Sequence, residues 1–121
     1  MNKLILGALA LVLAPSVAAA ADLTGTWSLK VNVGDQAVPV TCNLTQSAAA
    51  IGGTCHRSDQ DEKPAAVTGA VDGSAVKLAY DVDFQDMPLH IAYTGKLDSD
   101  TAMSGTLDVA GQSGTFTGTK P

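Results

Sequence analysis

Aromatic residues are scarce in this sequence, with one Trp, two Tyr and two Phe among 121 residues. A core built from such a chain is mostly aliphatic, and a site that surrounds its ligand with several indoles is excluded. Cysteine is limited to Cys42 and Cys55, and histidine to His56 and His90, with no His at metal-ligand spacing from a Cys. A Cys/His metal centre is therefore not expected. Basic residues are few and scattered. An acidic chain with no Lys/Arg cluster does not suit nucleic acid or an anionic membrane surface. After the first twenty or so residues no segment repeats its apolar positions at helical spacing. Helical folds are excluded on that ground.

What is present begins with an export leader. Lys3 gives a positive start, residues 4–13 form an apolar run, and Pro15 is followed by small residues up to Ala21. The run is shorter than the ~17–25 residues a spanning helix needs. No Cys follows it for lipid attachment, and no Arg pair marks the twin-Arg route. The expected organisation is a signal peptide at 1–21, cleaved after Ala20 or Ala21, and one domain at 22–121. The mature protein is expected in the periplasm or outside the cell, with no stable membrane insertion. Lys3 goes with the leader, leaving six Lys and Arg against twelve Asp and Glu, a net charge of −6. In an oxidising compartment the two cysteines are expected to pair. A domain of this size has a marginal core, which such a crosslink would help.

The mature part alternates apolar and polar residues between closely spaced turn signals, the pattern of short antiparallel strands. The first strand, near Gly25–Val33, places Trp27, Leu29, Val31 and Val33 on one face. Gly34-Asp35 turns the chain into a second strand with Val38, Val40, Cys42 and Leu44 inward. A third strand covers Ala50–Arg57, and a polar loop at 58–64 leads to a fourth carrying Val67 and Val71. After the turn Asp72-Gly73-Ser74, the fifth strand points Val76, Leu78, Tyr80, Val82 and Phe84 inward. The last three carry Leu89, Ile91 and Tyr93, then Met103, Leu107 and Val109, then Phe116. A short repeat supports a meander: Thr68-Gly69-Ala70-Val71-Asp72 returns as Thr94-Gly95-Lys96-Leu97-Asp98. The expected fold is all-β, an eight-stranded antiparallel up-and-down barrel. At eight strands a barrel interior is filled by side chains or holds one small ligand.

Two registers follow from the turns. A tight hairpin at Ala48-Ala49 sets Gln46 opposite Ile51, Leu44 opposite Gly53 and Cys42 opposite Cys55. Directly opposed residues lie within disulfide reach. Neither alanine favours positive φ, so this turn is also compatible with a wider loop or a bulge. A hairpin around Gln85 to Pro88 sets Asp83 opposite His90, with both His residues on outer faces. A surface cross-strand pair is the expectation there, since no nucleophile stands next to it. Asp59, Asp61 and Glu62 share a loop, but without calcium-loop spacing they read as a solvated acidic segment. No catalytic residue, metal site or cofactor is expected.

Inward alternation also carries Gly53, Gly69, Gly95, Gly105 and Gly118. Each leaves space that either a large side chain or a ligand fills. Trp27, Tyr80, Tyr93 and Phe116 are the candidate ligand-contacting residues, the two hydroxyls being able to orient a bound molecule.

Gly25-Thr26-Trp27 at the start of the first strand resembles the G-x-W signature of lipocalin-like barrels, the calycin superfamily. The resemblance implies that Trp27 closes one barrel end and that a basic residue of the last strand, here Lys120, lies across its ring. The chain also looks like small barrel modules that stand alone or are appended to exported bacterial hydrolases. It is more distantly similar to exported inhibitors of bacterial metalloproteases, through the order Trp27, Cys42, Cys55. Together these imply a non-enzymatic module that binds a small apolar ligand or an exported protein partner. The alternatives are a protease inhibitor and an accessory module without ligand.

Overall fold

The computed structural model describes residues 22–60 and 63–121. The expected leader at 1–21, the loop residues Asp61 and Glu62, and the side chain of Phe84 lie outside what is described. Among the described residues no helix is long and apolar enough to cross a membrane.

Alternation sets the architecture. Nine pairing segments follow in order: β1 (Gly25–Val33), β2 (Gln36–Ser47), β3 (Ala50–Arg57), β4 (Ala65–Ala66), β5 (Thr68–Asp72), β6 (Ala75–Phe84), β7 (Met87–Ser99), β8 (Ala102–Val109) and β9 (Gln112–Thr119). Every pairing is antiparallel between sequence neighbours, save β3 with β5 and the closing pair β1 with β9. The result is a closed up-and-down barrel of eight staves. Its outer positions on β1, Thr26, Ser28, Lys30 and Asn32, are exposed, while Trp27, Leu29 and Val31 are buried inside. A polar wall around an apolar interior is the reverse of a lipid-facing barrel.

The fourth expected strand is present as two segments. β4 pairs Ala66 with Thr54, β5 pairs Gly69 with Ile51, and the register on β3 is continuous between them. Pairing lapses at Val67, opposite Gly53, whose φ of 123° only glycine adopts readily. A β-carbon at Gly53 would run into the carbonyl of Asn43. The Val67 amide still donates to the Gly53 carbonyl at 2.9 Å. Val67 itself is buried as alternation requires.

The hairpin at Ala48-Ala49 has the expected register. Gln46 pairs with Ile51, Leu44 with Gly53 and Cys42 with Cys55. Cys42 and Cys55 form a buried disulfide with a Cα separation of 4.1 Å. The turn stays at two residues because only Ala48 takes a positive φ, 56°. Gln46 holds it, donating from Nε2 to the Ala48 carbonyl at 3.0 Å.

The second register needs correction. β6 and β7 join through Gln85 and Asp86, both at positive φ (53° and 65°), as a two-residue primed turn requires. Phe84 therefore pairs with Met87, and His90 faces Asp81 rather than Asp83. Pro88 sits inside β7 opposite Asp83, beyond the last β7–β8 pair, Ile91 with Val109. Its missing amide costs no ladder bond there.

Candidate functional site

The two ends of the barrel are built differently, and the candidate site is at one of them. At the first end Trp27 and Leu23 are wholly buried, with Leu44, Ile51, Val76 and Met103 around them. The Trp27 indole donates from Nε1 to the Leu23 carbonyl at 2.9 Å, and the Leu23 amide donates to Gln46 Oε1 at 2.8 Å. Lys120 lies over the indole, its Nζ 5.4 Å from the ring centroid. The same ammonium donates to the carbonyls of Asp22 and Thr24. The arrangement of Trp and basic residue expected for a G-x-W barrel is thus in place. Leu23, which the sequence pattern does not single out, completes the plug. Its only sequence signal is its position, four residues before the Trp.

The inward glycines belong to this packing and leave no void. Gly95 and Gly105 face each other across β7 and β8, and Gly105 faces Phe116. A β-carbon at Gly95 would come within 2.8 Å of the Phe116 ring, and one at Gly105 would run into the backbone of Thr94 and Gly95. Leu78 fills the space at Gly69, and Leu29 with Met103 fills that at Gly118. Side chains or neighbouring backbone, not a ligand, take the glycine space.

Space remains at the opposite end. A cavity of about 240 Å³ opens there, lined by Val31, Val33, Val38, Val40, Tyr80, Val82, Leu89, Ile91, Tyr93, Leu107 and Val109, with His56, Arg57, Gln60 and Asp83 completing it. An apolar cavity of about 150 Å³ already holds benzene. Of the four candidates named from the sequence, the structure brings two, Tyr80 and Tyr93, to this cavity, whereas Trp27 and Phe116 do not line it. Phe116 stands behind it, its ring edge-on to Tyr93 with centroids 5.0 Å apart. Alternation marks the lining valines and leucines as inward residues. That they border a void is visible only in the fold.

Two hydroxyls sit in this apolar wall. Tyr80 and Tyr93 share a hydrogen bond of 2.7 Å, with rings stacked 5.7 Å apart. Burial pushes the Tyr93 hydroxyl far above the usual phenol range, with the neighbouring Tyr80 acting in the same direction. It stays a neutral donor and acceptor at any physiological pH.

The rim is charged. Arg57, on inward alternation at the end of β3, makes a two-point bond to Asp59, Nε to Oδ1 and Nη2 to Oδ2, each 3.0 Å. That contact holds the Asp59 carboxyl below its ordinary pKa. His56 keeps its expected outward register, opposite Thr41, yet is half-buried and borders the cavity, and its Nδ1 is buried without a hydrogen-bond partner among the described residues. Past Arg57 the β2–β3 register continues one step further, Ser58 N donating to the Pro39 carbonyl at 3.0 Å.

Beside the cavity the wall is split. β5 pairs with β6 as far as Thr68 with Ala79. Continuing that register would set Ala66 opposite Asp81 and Ala65 opposite Val82, yet β4 pairs only with β3. A hollow of about 420 Å³ occupies the unzipped stretch, lined by Gln60, Lys63, Pro64, Ala65, Asp81, Val82 and Asp83. It shares Gln60, Val82 and Asp83 with the apolar cavity. On the outer surface Asp81 Oδ1 and His90 Nδ1 are hydrogen-bonded at 2.7 Å, both residues exposed. The outward cross-strand neighbours are Ala79, Ala92, Asp83 and Pro88, so no hydroxyl or thiol stands beside this imidazole.

No family model matches this sequence, and no curated protein does. Solved structures match the fold. A redesigned β-barrel superposes with a TM-score of 0.61 at 14% identity, covering 82% of this chain and 90% of its own. A de novo designed fluorescence-activating β-barrel gives 0.59 at 16%, covering 88% of this chain and 100% of its own. The redesigned barrel mFAP1, bound to DFHBI, gives 0.56 at 16%, covering 82% and 94%. At these identities the likeness is one of architecture: this chain has the fold of small eight-stranded barrels.

Proposed function

We propose that this protein is an exported, non-enzymatic barrel that binds one small, mostly apolar molecule in the end opposite Trp27. The observation that carries the reading is the cavity of about 240 Å³ walled by aliphatic side chains. A space of that size suits one or two fused rings with short substituents, below the ~300–1,000 Å³ of drug-sized sites. The Tyr80–Tyr93 hydroxyl pair supplies the few polar contacts that fix orientation in such a pocket. The DFHBI-bound designed barrels support the choice of a small-molecule ligand, because the same architecture accommodates one in them. Export rests on the leader pattern and is supported by the disulfide.

The inhibitor alternative is not favoured. It draws on an N-terminal segment reaching into a protease cleft, whereas Leu23 is buried and residues 22 and 24 are held by Lys120.

Naphthalene titrated into methyl-labelled protein tests the binding reading. Shifts confined to Val38, Ile91, Leu107 and Val109 methyls, abolished in Ile91→Phe, are the expected outcome. Shifts centred on Val76 and Met103, or none up to the solubility limit, would refute it.

A further inference from the structure

The charges around the cavity mouth are unevenly distributed, and the side opening is flanked by carboxylates. Asp35 lies in the β1–β2 turn and Asp86 in the β6–β7 turn, both at the open end, where Asp59 follows β3. Against them stand Arg57, engaged by Asp59, and Lys63. The carboxylate that matters most is Asp83. It lines both the apolar cavity and the hollow in the split wall, where the two meet. Asp81, its neighbour on the outer face, is bound to His90, while Asp83 has no ion pair or hydrogen bond among the described residues.

A ligand body lodged against Tyr80 and Ile91 reaches solvent beside Asp83. A cationic substituent there gains an opposite charge at the edge of a low-dielectric pocket. A carboxylate substituent meets like charge, and the one guanidinium at the rim is already in a two-point bond.

We infer that the natural ligand is a small organic cation, an amine or related group on an apolar body, that enters through the gap between β4 and β6 and leaves its charged group against Asp83. This rests on the binding reading above and assigns the ligand's charge and its route. The same split wall explains how a barrel with short turns admits a ligand: the unpaired stretch of β4 and β6 has no ladder hydrogen bonds to break.

Three isosteres separate the outcomes: 2-naphthylmethylammonium, 2-naphthalenemethanol and 2-naphthoate, titrated calorimetrically and by methyl shifts. The ammonium should bind about five-fold tighter than the alcohol, the scale of one partly exposed ion pair, and the naphthoate weaker than the alcohol. Salt should narrow the ammonium preference. Asp83→Asn should bring the ammonium-to-alcohol ratio to about two-fold or less, while Asp100→Asn, at the far end, should leave the ratio as it is. Equal affinity for ammonium and alcohol, tighter naphthoate, or a ratio indifferent to Asp83→Asn overturns the cation assignment with the apolar reading intact. No binding of any of the three overturns both. A disulfide introduced to clip Ala65 to Val82, formed without loss of fold, should slow ligand exchange; unchanged exchange overturns the route.

Discussion

The two ends of this barrel use the same strands and reach opposite results. At the Trp27 end the inward residues are wholly buried, with exposures of 0% for Leu23 and Trp27 and 1% for Val76 and Met103. At the other end Val33, Val38, Val82, Leu89, Ile91 and Val109 are only partly buried around a void. The difference is one of side-chain volume and covalent closure. The first end has the indole, an N-terminal Leu lid and Met103, with the disulfide close by, since Trp27 pairs with Cys42. The second has mainly valines, which are too short to meet across a barrel, and two tyrosines that bond to each other rather than spanning it. One end is closed by packing, the other is left open.

That contrast sets an order of expected effects. Trp27→Ala should cost about 3–5 kcal/mol in chemical denaturation, as for truncating a large core aromatic. Val38→Ala, at the open end, should cost under about 1.5 kcal/mol, because the removed methyls already face a void. Equal losses at both ends would erase the distinction. Replacing Cys42 and Cys55 together by Ser should lower stability by about 2–4 kcal/mol while amide exchange shows the same strand pairing. A native protein whose two thiols react freely without reductant would contradict the crosslink.

Smaller changes sharpen the picture. Tyr93→Phe should cost about 1 kcal/mol and weaken binding of the naphthalenemethanol hydroxyl more than that of naphthalene, read by calorimetry. Ala48→Gly should stabilise by about 0.5–1 kcal/mol, since Ala48 sits at a φ of 56° that glycine adopts without strain. A loss instead would mean that the Gln46 contact depends on the Ala48 methyl. The smallest effect is electrostatic. Arg57 lowers the Asp59 pKa, so this group adds stability above its unfolded value of 3.8 and loses it as pH falls through the lower folded value. A carboxyl-carbon titration of Asp59 should show a midpoint below 3.8 that returns toward it in Arg57→Gln.

Much of this is readable from particular residues. Alternation names the interior of β1, β2, β6 and β8, because side chains in a strand have only two faces to choose from. The Cys42–Cys55 register follows from one turn. The Asp83–His90 register fails for the same kind of reason: placing the turn one residue late shifts every partner by two, and the primed turn at Gln85-Asp86 is hidden by Gln, which seldom takes positive φ. Alternation offers Gly105 as space for a ligand, and it is a backbone contact instead. A sequence marks a glycine but not what approaches it.

By itself, then, the sequence determined the strand class, the inward faces and the crosslink, which depend on neighbours a turn or less away, while the Trp-bearing closed end followed from the G-x-W resemblance. The tertiary structure alone decided where the hollow lies and where the wall splits. The hollow depends on whether residues from six strands meet across the interior. The split depends on Gly53 and the two-residue β4, which keep pairing on the β3 side and lose it on the β6 side. Both are matters of distance between segments far apart in the chain, and no local pattern records such a distance.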